Sequence, residues 1–436
     1  MRRNLHIADF VVFVLLHNLS SDFANKCIND RQMKQNLKKI MPGVIICFAA
    51  ASCSLVELGA EQKDEQNGVW NGPSISPPST VRSITFVSAF DYVEGYDWQA
   101  DSEKGEVKCS LVVFQEGLPI LKVPVGEEYR VSSDPDMHRI VEGHLYTDYS
   151  TDTETFFKKD GKPLFSYPKP EMICAFDVLG DDVHTIGHSR TGSGFSYRVN
   201  GEVVLERELG YTFEHIAFDN SAAVIAFSEP IVSAEGSFER YYVMQGGNIS
   251  QIALRDDIKK VWDIVYHDGE LYYLASLTGI SAPVIVSQQK MTALSMPESR
   301  TLVSCRMNVL PEGISIEGVL SDGNQIQSVL WDVNCQHQLF PMGMTFASLC
   351  PGEDGLHCAM NPVSKDAAGL ICRSGESLDM PSGYVCVSRS AMDFCCGILS
   401  VGLSPFEGEK PVLWVDGQLK ELPVNGYISC VSSQLL

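Results

Sequence analysis

The chain has 436 residues, of which 44% are hydrophobic, so it can bury a large core and most of it cannot be disordered. It has 33 basic and 55 acidic residues, and the net charge of -22 argues against binding to nucleic acid, whose phosphates would be repelled. The charge is uneven, because residues 1–52 hold 7 basic and 3 acidic side chains and the remainder holds 26 and 52. We therefore expect the basic segment to be removed.

The segment that begins at Met33 has the pattern of a secretory leader. It reads MKQNLKKIMPGVIICFAAASC, in which lysines precede an apolar run and small residues end at Cys53. A dozen helical residues rise roughly 18 Å, which is short of the ~30 Å hydrocarbon core, so a permanent membrane span is not expected. We interpret residues 33–52 as a signal peptide and residues 1–32, which carry their own apolar run, as a misassigned N-terminal extension.

The small residues before Cys53 resemble a bacterial lipobox, after which the cysteine becomes the lipid-modified N-terminus. Ala50, Ala51 and Ser52 fill the three positions, and Ala50 replaces the more usual leucine. Acyl chains on Cys53 would anchor the protein to a membrane without a spanning helix. Simple cleavage or a retained segment is the alternative. Residues 53–79 are polar, contain Gly, Pro and Ser without a period, and predict a flexible linker.

The remaining residues, 80–436, contain a repeated hairpin. Short runs of β-branched and aromatic residues alternate with turn residues, which is typical of an all-β domain. Two apolar runs joined by a tight turn recur at spacings of 40 to 46 residues. Six of the eight turn positions are glycine, as a hairpin turn with positive φ requires. The positions are Gly117, Gly161, Gly201, Gly247, Lys290, Cys335, Gly375 and Gly417.

A second element, a strand with a small residue at its centre, precedes each hairpin. Glycine inside a strand weakens it unless another backbone must approach closely, so eight such positions predict eight close approaches of one kind. The small residues are Gly95, Gly143, Gly187, Ala226, Ala275, Gly318, Ala359 and Gly397. A third apolar run precedes most of these strands, so each unit contains about four strands, which matches a period of about 42 residues.

These repeats predict a β-propeller of four-stranded blades, with eight blades expected and seven as the alternative. The fifth and sixth repeats lack the turn glycine and are the ones that a seven-bladed ring would lose. A further strand, YISCVSSQ at 427–434, has no partners after it. We expect it to complete the first blade and close the ring, which removes an exposed edge.

Two of the repeat segments resemble the YVAGY and W-x-x-G repeats of β-propeller lipoproteins that are common in gut Bacteroidetes. They are YVEGY at 92–96 and VLWVDGQLKEL at 412–422. The resemblance covers residues 80–436 and the leader, and implies a lipoprotein of the outer membrane. Members of that family often carry an acidic export signal just after the lipidated cysteine. Here SLVEL follows Cys53, and the acidic segment KDE occurs only at 63–65. The sequence therefore leaves open whether the protein faces the periplasm or the cell surface.

Two histidines, His144 and His188, form the most specific candidate site in the sequence. His144 and His188 each follow a central glycine, so we expect them at equivalent places in neighbouring blades, where they could face a ligand; packing between blades is the alternative reading. His184 and His188 are about 13 Å apart along one strand, too far to share a metal ion. The fourteen cysteines form no C-x-x-C pair and no zinc-spaced cluster, so we expect buried, reduced thiols and no metal or cofactor.

The function expected from these features is a non-catalytic binding or protein-interaction scaffold, anchored to the cell envelope through lipid on Cys53. Its ligand would be a glycan or a protein held by loops at the faces of the ring or in its central funnel. The alternative is a carbohydrate-active enzyme, a glycoside hydrolase or lyase, with its site in the funnel. G-x-S-x-G, P-loop and H-E-x-x-H motifs are absent from the sequence, which removes the commonest enzyme readings.

Overall fold

A computed structural model describes residues 83–93 and 109–435, apart from gaps at 133, 135–136, 190–193, 208–209, 220–221, 234–235, 288–289, 311, 324, 354, 365–366, 374–375 and 407–409. The predicted extension, signal peptide, lipidated Cys53 and linker lie outside these residues. The described part is built from strands, with one short 3-10 turn at Glu127–Tyr129. In the described part, no helix has the length and apolar character needed to cross a bilayer.

The strands form eight antiparallel blades, each numbered here by its place along the chain. Blade 1 contains β1 (Ser83–Tyr92), β2 (Cys109–Gln115), β3 (Leu118–Pro124) and the last strand, β33 (Ile428–Leu435). Blade 2 contains β4 (His138–Val141), β5 (His144–Ser150), β6 (Thr155–Lys159) and β7 (Lys162–Tyr167). Blade 3 contains β8 (Glu171–Leu179), β9 (Asp182–Ser189), β10 (Phe195–Val199) and β11 (Glu202–Arg207). Blade 4 contains β12 (Thr212–Asp219), β13 (Ala222–Ser233), β14 (Gly236–Gln245) and β15 (Asn248–Gln251).

The second half of the ring repeats this plan. Blade 5 contains β16 (Ile258–His267), β17 (Glu270–Leu277), β18 (Val284–Val286) and β19 (Met291–Ala293). Blade 6 contains β20 (Thr301–Leu310), β21 (Gly313–Ser321), β22 (Ile326–Trp331) and β23 (His337–Leu339). Blade 7 contains β24 (Met344–Gly352), β25 (Gly355–Pro362), β26 (Leu370–Arg373) and β27 (Glu376–Asp379). Blade 8 contains β28 (Tyr384–Val385) and β29 (Met392–Cys395), which share the first position, then β30 (Ile398–Pro405), β31 (Val412–Val415) and β32 (Gln418–Glu421).

The eight-bladed β-propeller is therefore confirmed, and the seven-bladed alternative is wrong. Blades 5 and 6 are complete four-stranded sheets although their hairpins lack glycine. The ring closes as predicted, because β33 pairs with β1 from Ser83 opposite Leu435 to Ala89 opposite Ile428. The pairing of the first and last strands of the domain leaves neither with an open edge at the seam.

The outer hairpins explain the glycines that the repeats share. In five blades both residues of the turn have positive φ, which is the type I′ turn that suits the twist of a hairpin. The pairs are Glu116–Gly117, Asp160–Gly161, Asn200–Gly201, Gly246–Gly247 and Asp416–Gly417. In blade 6 the turn is longer and Cys335 itself takes φ 61°.

The predicted small residue at the centre of the second strand is confirmed in five blades and wrong in two. Gly187, Ala226, Ala275, Gly318 and Ala359 lie inside their second strands. Gly143 and Gly397, with φ of 76° and 78°, instead occupy two-residue turns before the second strand. A turn glycine and a strand glycine between apolar residues look the same in sequence. Gly95 lies outside the described residues.

The predicted close approach of another backbone is also wrong as a general rule, because side chains make the nearest approaches. A Cβ placed on Gly187 would lie 2.6 Å from Oε2 of Glu171, and one on Gly318 would lie 2.8 Å from the Trp331 ring. In blade 8, a Cβ on Gly402 would lie 2.4 Å from Cγ2 of Ile428 in the closing strand. The lack of a side chain at these three glycines thus leaves space for the Glu171 carboxylate, the Trp331 ring and the Ile428 side chain.

The core consists of apolar layers between neighbouring blades. Trp331 is fully buried and its Nε1 donates to the Ser295 carbonyl at 2.7 Å, and Trp414 is buried at the equivalent place in blade 8. Both indoles therefore serve the packing of the ring. Eleven described cysteines have free thiols and seven of them are buried.

Replacing Gly318 with alanine should destabilise the ring by about 1–3 kcal/mol, because the new methyl group would overlap the Trp331 ring in a packed interior. Urea unfolding followed by tryptophan fluorescence would measure this change. Ala359 holds the same place in blade 7 and already carries a methyl group, so Ala359→Gly is the reverse change at the equivalent position and reports the loss of a buried methyl group together with added backbone freedom. A Gly318→Ala midpoint equal to that of the parent would show that the Trp331 contact does not require glycine.

Candidate functional site

The first strands of the blades form the inner ring of the propeller. β12 contacts β16, β16 contacts β20, and β20 contacts β24; across the seam, β24, β29, β33 and β4 continue the series. In a propeller this innermost layer surrounds the central channel, where the predicted binding site would lie. The chemistry of these strands therefore decides what the channel can bind.

A β-bulge interrupts the inner strand in six of the eight blades. The register with the second strand skips one residue each time, within two residues of the partner of the central position. Bulges redirect side chains and recur beside binding sites. The inner strand of blade 5 has a second bulge at Lys259. The residues skipped near the centre of the six strands differ in chemistry, and they are Cys174, Glu214, Trp262, Val303, Ala347 and Ser429.

Cationic and apolar side chains are exposed on the inner strands of blades 3, 5 and 6. Lys260 places its ammonium 3.3 Å from the centroid of the Trp262 ring, while Trp262 Nε1 donates to Oγ of Ser276 at 2.8 Å. Arg306 is exposed, as are Met172 and Val303, at 48% and 47%. An aromatic ring, two cations and apolar groups on these inner strands are side chains of the kind that contact an anionic ligand with apolar parts.

His215 shows that side chains from blades 4 and 6 come near one another inside the ring. Burial and, to a smaller extent, the positive charge of Arg306 two blades away together lower its pKa to about 4. His215 is therefore neutral at pH 7, and its buried Nε2 has no hydrogen-bond partner among the described residues. The inner ring is narrow enough for charges on non-adjacent blades to interact.

Two aspartates join neighbouring inner strands. Asp263 accepts the amide of Ile264 at 2.9 Å and, through its other oxygen, the amide of Met307 in the next blade at 2.6 Å. Asp393 does the same for Phe394, at 3.0 Å, and for Ser433 of the closing strand. The Trp262-Asp263 dipeptide thus lies on a first strand and links two blades, whereas Trp331 lies on a third strand, so the two Trp-Asp dipeptides occupy different strand positions.

The Asp393 link should make stability depend on pH. Burial raises its pKa to about 6, although the two amides oppose the shift. An unfolded aspartate titrates near 3.9, so the folded protein binds the extra proton between about pH 4 and 6 and loses roughly 2–3 kcal/mol of stability as pH rises through that window. Unfolding midpoints of Asp393→Asn and parent should therefore differ by an amount that changes between pH 4 and pH 7. A constant difference would contradict the raised pKa.

A second buried cluster joins blades 2 and 3 through Glu171, which is 1% exposed. Arg198 contacts both carboxylate oxygens at 3.1 Å, Ser196 donates at 2.7 Å and Tyr167 at 3.1 Å. Burial alone would raise the pKa of Glu171, but the bonds from Arg198 and Ser196 outweigh it and lower the pKa. A fully bonded carboxylate of this kind holds two blades together.

The structure does not bring the predicted histidine pair together. His144 begins β5, is 48% exposed, and contacts Oδ2 of Asp160 at 2.8 Å. His188 lies near the end of β9, half-buried, 3.2 Å from the Gly194 carbonyl. The expectation of equivalent places is wrong, because Gly143 is a turn residue whereas Gly187 is a strand residue, so the two histidines lie at opposite ends of their strands.

Two other features of the described chain are weaker candidates for a binding site than the inner strands. His184 is buried against Phe218 and contacts the Tyr197 hydroxyl at 2.8 Å. A cleft of about 420 Å³ lies at the outer edge of the seam, lined by residues that include Ile120, Lys122 and Val424, far from the inner strands. In the described residues, no group of three His, Cys, Asp or Glu side chains could hold a metal ion.

The bulge residues were not found by sequence reasoning. Their only signal is one extra residue in an alternating strand, which cannot be recognised until the partner strand is known. The place of Trp262 on the inner ring follows from the pairing of β16 with β17.

The sequence matches no protein-family model and no curated protein. Among solved structures, it is similar to a puromycin-hydrolyzing peptidase of Mycobacterium tuberculosis, with TM-score 0.43 and 7% identity, covering 69% of this chain and 54% of that one. The β-propeller domain of the Trilobed protease from Pyrococcus furiosus matches with TM-score 0.42 and 10% identity, covering 63% and 87%. The chain spans about half the length of the mycobacterial peptidase.

Proposed function

We propose that this chain is a lipid-anchored β-propeller of the cell envelope, an outer membrane lipoprotein that binds a ligand without transforming it. The leader pattern that ends at Cys53 supports the anchor, and the linker at 53–79 would hold the ring clear of the bilayer. The ring supplies a rigid frame, because its seam is closed by β33 and its blades are joined by buried polar links.

The observation that carries the binding role is the series of bulges on the inner strands. Six blades share the same distortion at the same level, yet each places a different residue type there. A recurring bulge that presents a different side chain in each blade supports a recognition surface, since function is carried by residues that a rigid frame positions.

The exposed inner residues favour an anionic ligand. Lys260 and Arg306 are exposed cations on a chain whose net charge is -22, Trp262 lies under the Lys260 ammonium, and Met172 and Val303 are exposed apolar side chains on other inner strands. A local cationic surface on an acidic protein attracts anions that the remainder of the molecule repels. We infer that the ligand is a glycan with acidic groups.

The anchor can be tested on the full chain produced in a bacterial host that processes lipoproteins. The mature protein should begin at Cys53, carry acyl chains in its mass spectrum and partition into detergent, and Cys53→Ser should accumulate with its leader attached. An unmodified peptide spanning residue 53 in the mature protein would overturn the lipoprotein proposal.

The binding role can be tested with a glycan array that contains neutral and acidic glycans. Arg306→Ala and Trp262→Ala should each weaken capture of acidic glycans about tenfold, since each removes about 1.4 kcal/mol of contact energy. Met291→Ala, on an exposed outer strand, is the matched control and should bind as the parent does. Released sugar products would show an enzyme instead, and capture that no inner-strand variant changes would contradict the site.

A further inference from the structure

Two cysteines in the middle of blade 7 lie directly opposite one another. Cys358 on β25 pairs with Cys372 on β26 in the antiparallel register. Side chains that are opposite in such a pair project from the same face, with Cβ atoms about 4.5–5.5 Å apart. The neighbouring Cys372 thiol, together with burial, holds the pKa of the Cys358 thiol well above its usual value. Both are buried, at 0% and 4% exposure.

From this juxtaposition we infer that Cys358 and Cys372 form a disulfide that staples the second and third strands of blade 7 when the chain folds in an oxidising compartment. The inference rests on the proposed envelope location, because structural disulfides persist in such compartments. The layer around the pair is apolar, with Phe340, Met360 and Leu370 among its buried members, and a neutral disulfide suits it.

The reaction balances with a protein dithiol–disulfide oxidant. One thiolate attacks the oxidant's disulfide and forms a mixed disulfide; the second cysteine then displaces the oxidant, which leaves as a dithiol with the two protons and two electrons of the pair. Cys358 and Cys372 are both buried in the folded blade, so an external oxidant cannot reach their thiols once the blade has formed. Oxidation therefore takes place while the blade assembles.

Peptide mapping of the full exported chain tests this bond. The protein is unfolded in an alkylating agent and cut after Lys and Arg without reduction, which releases residues 366–373 with Cys372 as their only cysteine. This peptide should appear joined to residues 307–365. The link should vanish in Cys358→Ser and persist in Cys350→Ser, the matched control, because Cys350 belongs to the apolar layer on the other side of the blade. Reduction should lower the Tm of the parent by about 3 °C and leave Cys358→Ser unchanged.

The same digest reports the N-terminal peptide, so failure of the anchor is distinguishable from failure of the bond. A chain that begins at Cys53 but yields residues 366–373 as a free alkylated peptide would overturn the disulfide and leave the proposed function standing. For a chain that is not exported, refolding of the full chain in a glutathione redox buffer decides: the link should form, and its absence would overturn the inference.

Discussion

Removing the last strand should open the ring. A chain that ends at Gly426 loses β33, and with it the buried Tyr427, Ile428 and Val431, which together stabilise the seam by roughly 5–6 kcal/mol. Since domains of this kind are stable by only about 5–15 kcal/mol, we expect a large fall in the unfolding midpoint and aggregation through the exposed edge of β1. Thermal unfolding and size-exclusion chromatography with light scattering would measure both effects.

A shorter truncation controls for the loss of the C-terminus itself. Leu435 is 62% exposed, so a chain that ends at Gln434 should unfold at the midpoint of the parent. A synthetic peptide of residues 426–436 should restore the monomer when added to the longer truncation, because it can pair with β1. If the chain ending at Gly426 unfolds as the parent does, closure by β33 does not stabilise the propeller.

Breaking the buried pair between Glu171 and Arg198 should cost about 3–5 kcal/mol, because Glu171→Gln leaves a buried guanidinium without its counterion. Arg198 is 7% exposed and stacks on Tyr167 with its central carbon 4.0 Å from the ring centroid, so it cannot reach water without disrupting the blade. Urea unfolding at pH 7 would give the change in the free energy of unfolding.

Two comparisons make this prediction specific. The double variant Glu171→Leu with Arg198→Met should recover most of the loss, since a buried pair can be replaced by apolar residues at little cost. Asp257→Asn removes an exposed pair with Arg255 and should cost under about 1 kcal/mol. If Glu171→Gln and Asp257→Asn lowered the free energy of unfolding by the same amount, the buried ion pair would contribute no more to stability than the exposed one.

The same carboxylate should make the protein sensitive to acid. The pKa of Glu171 is lowered in the folded protein, so its contribution is present above the unfolded pKa near 4.3 and is lost as pH falls through the folded pKa. This dependence has the opposite sign to that of Asp393. The parent should therefore lose more stability below pH 4 than Glu171→Leu with Arg198→Met does.

The sequence by itself determined the fold class and the closure, and it favoured eight blades over seven. A two-residue turn depends on the φ of its own residues, so Asn200–Gly201 and Asp416–Gly417 carry the same local signal in different blades. Eight hairpins about 42 residues apart, six of them with a turn glycine, leave few architectures, and the surplus strand at 427–434 is expected to complete the first blade.

The tertiary structure alone decided which residues meet. His144 and His188 follow similar apolar-Gly-His patterns, but a turn glycine and a strand glycine are distinguished by the strands that form around them, so the predicted pair separated. The bulge at Trp262, the Asp393 link to Ser433 and the opposition of Cys358 and Cys372 depend on registers between strands. Register is set by packing across the whole sheet, because a shift of one residue exchanges its two faces, and no local pattern contains that information.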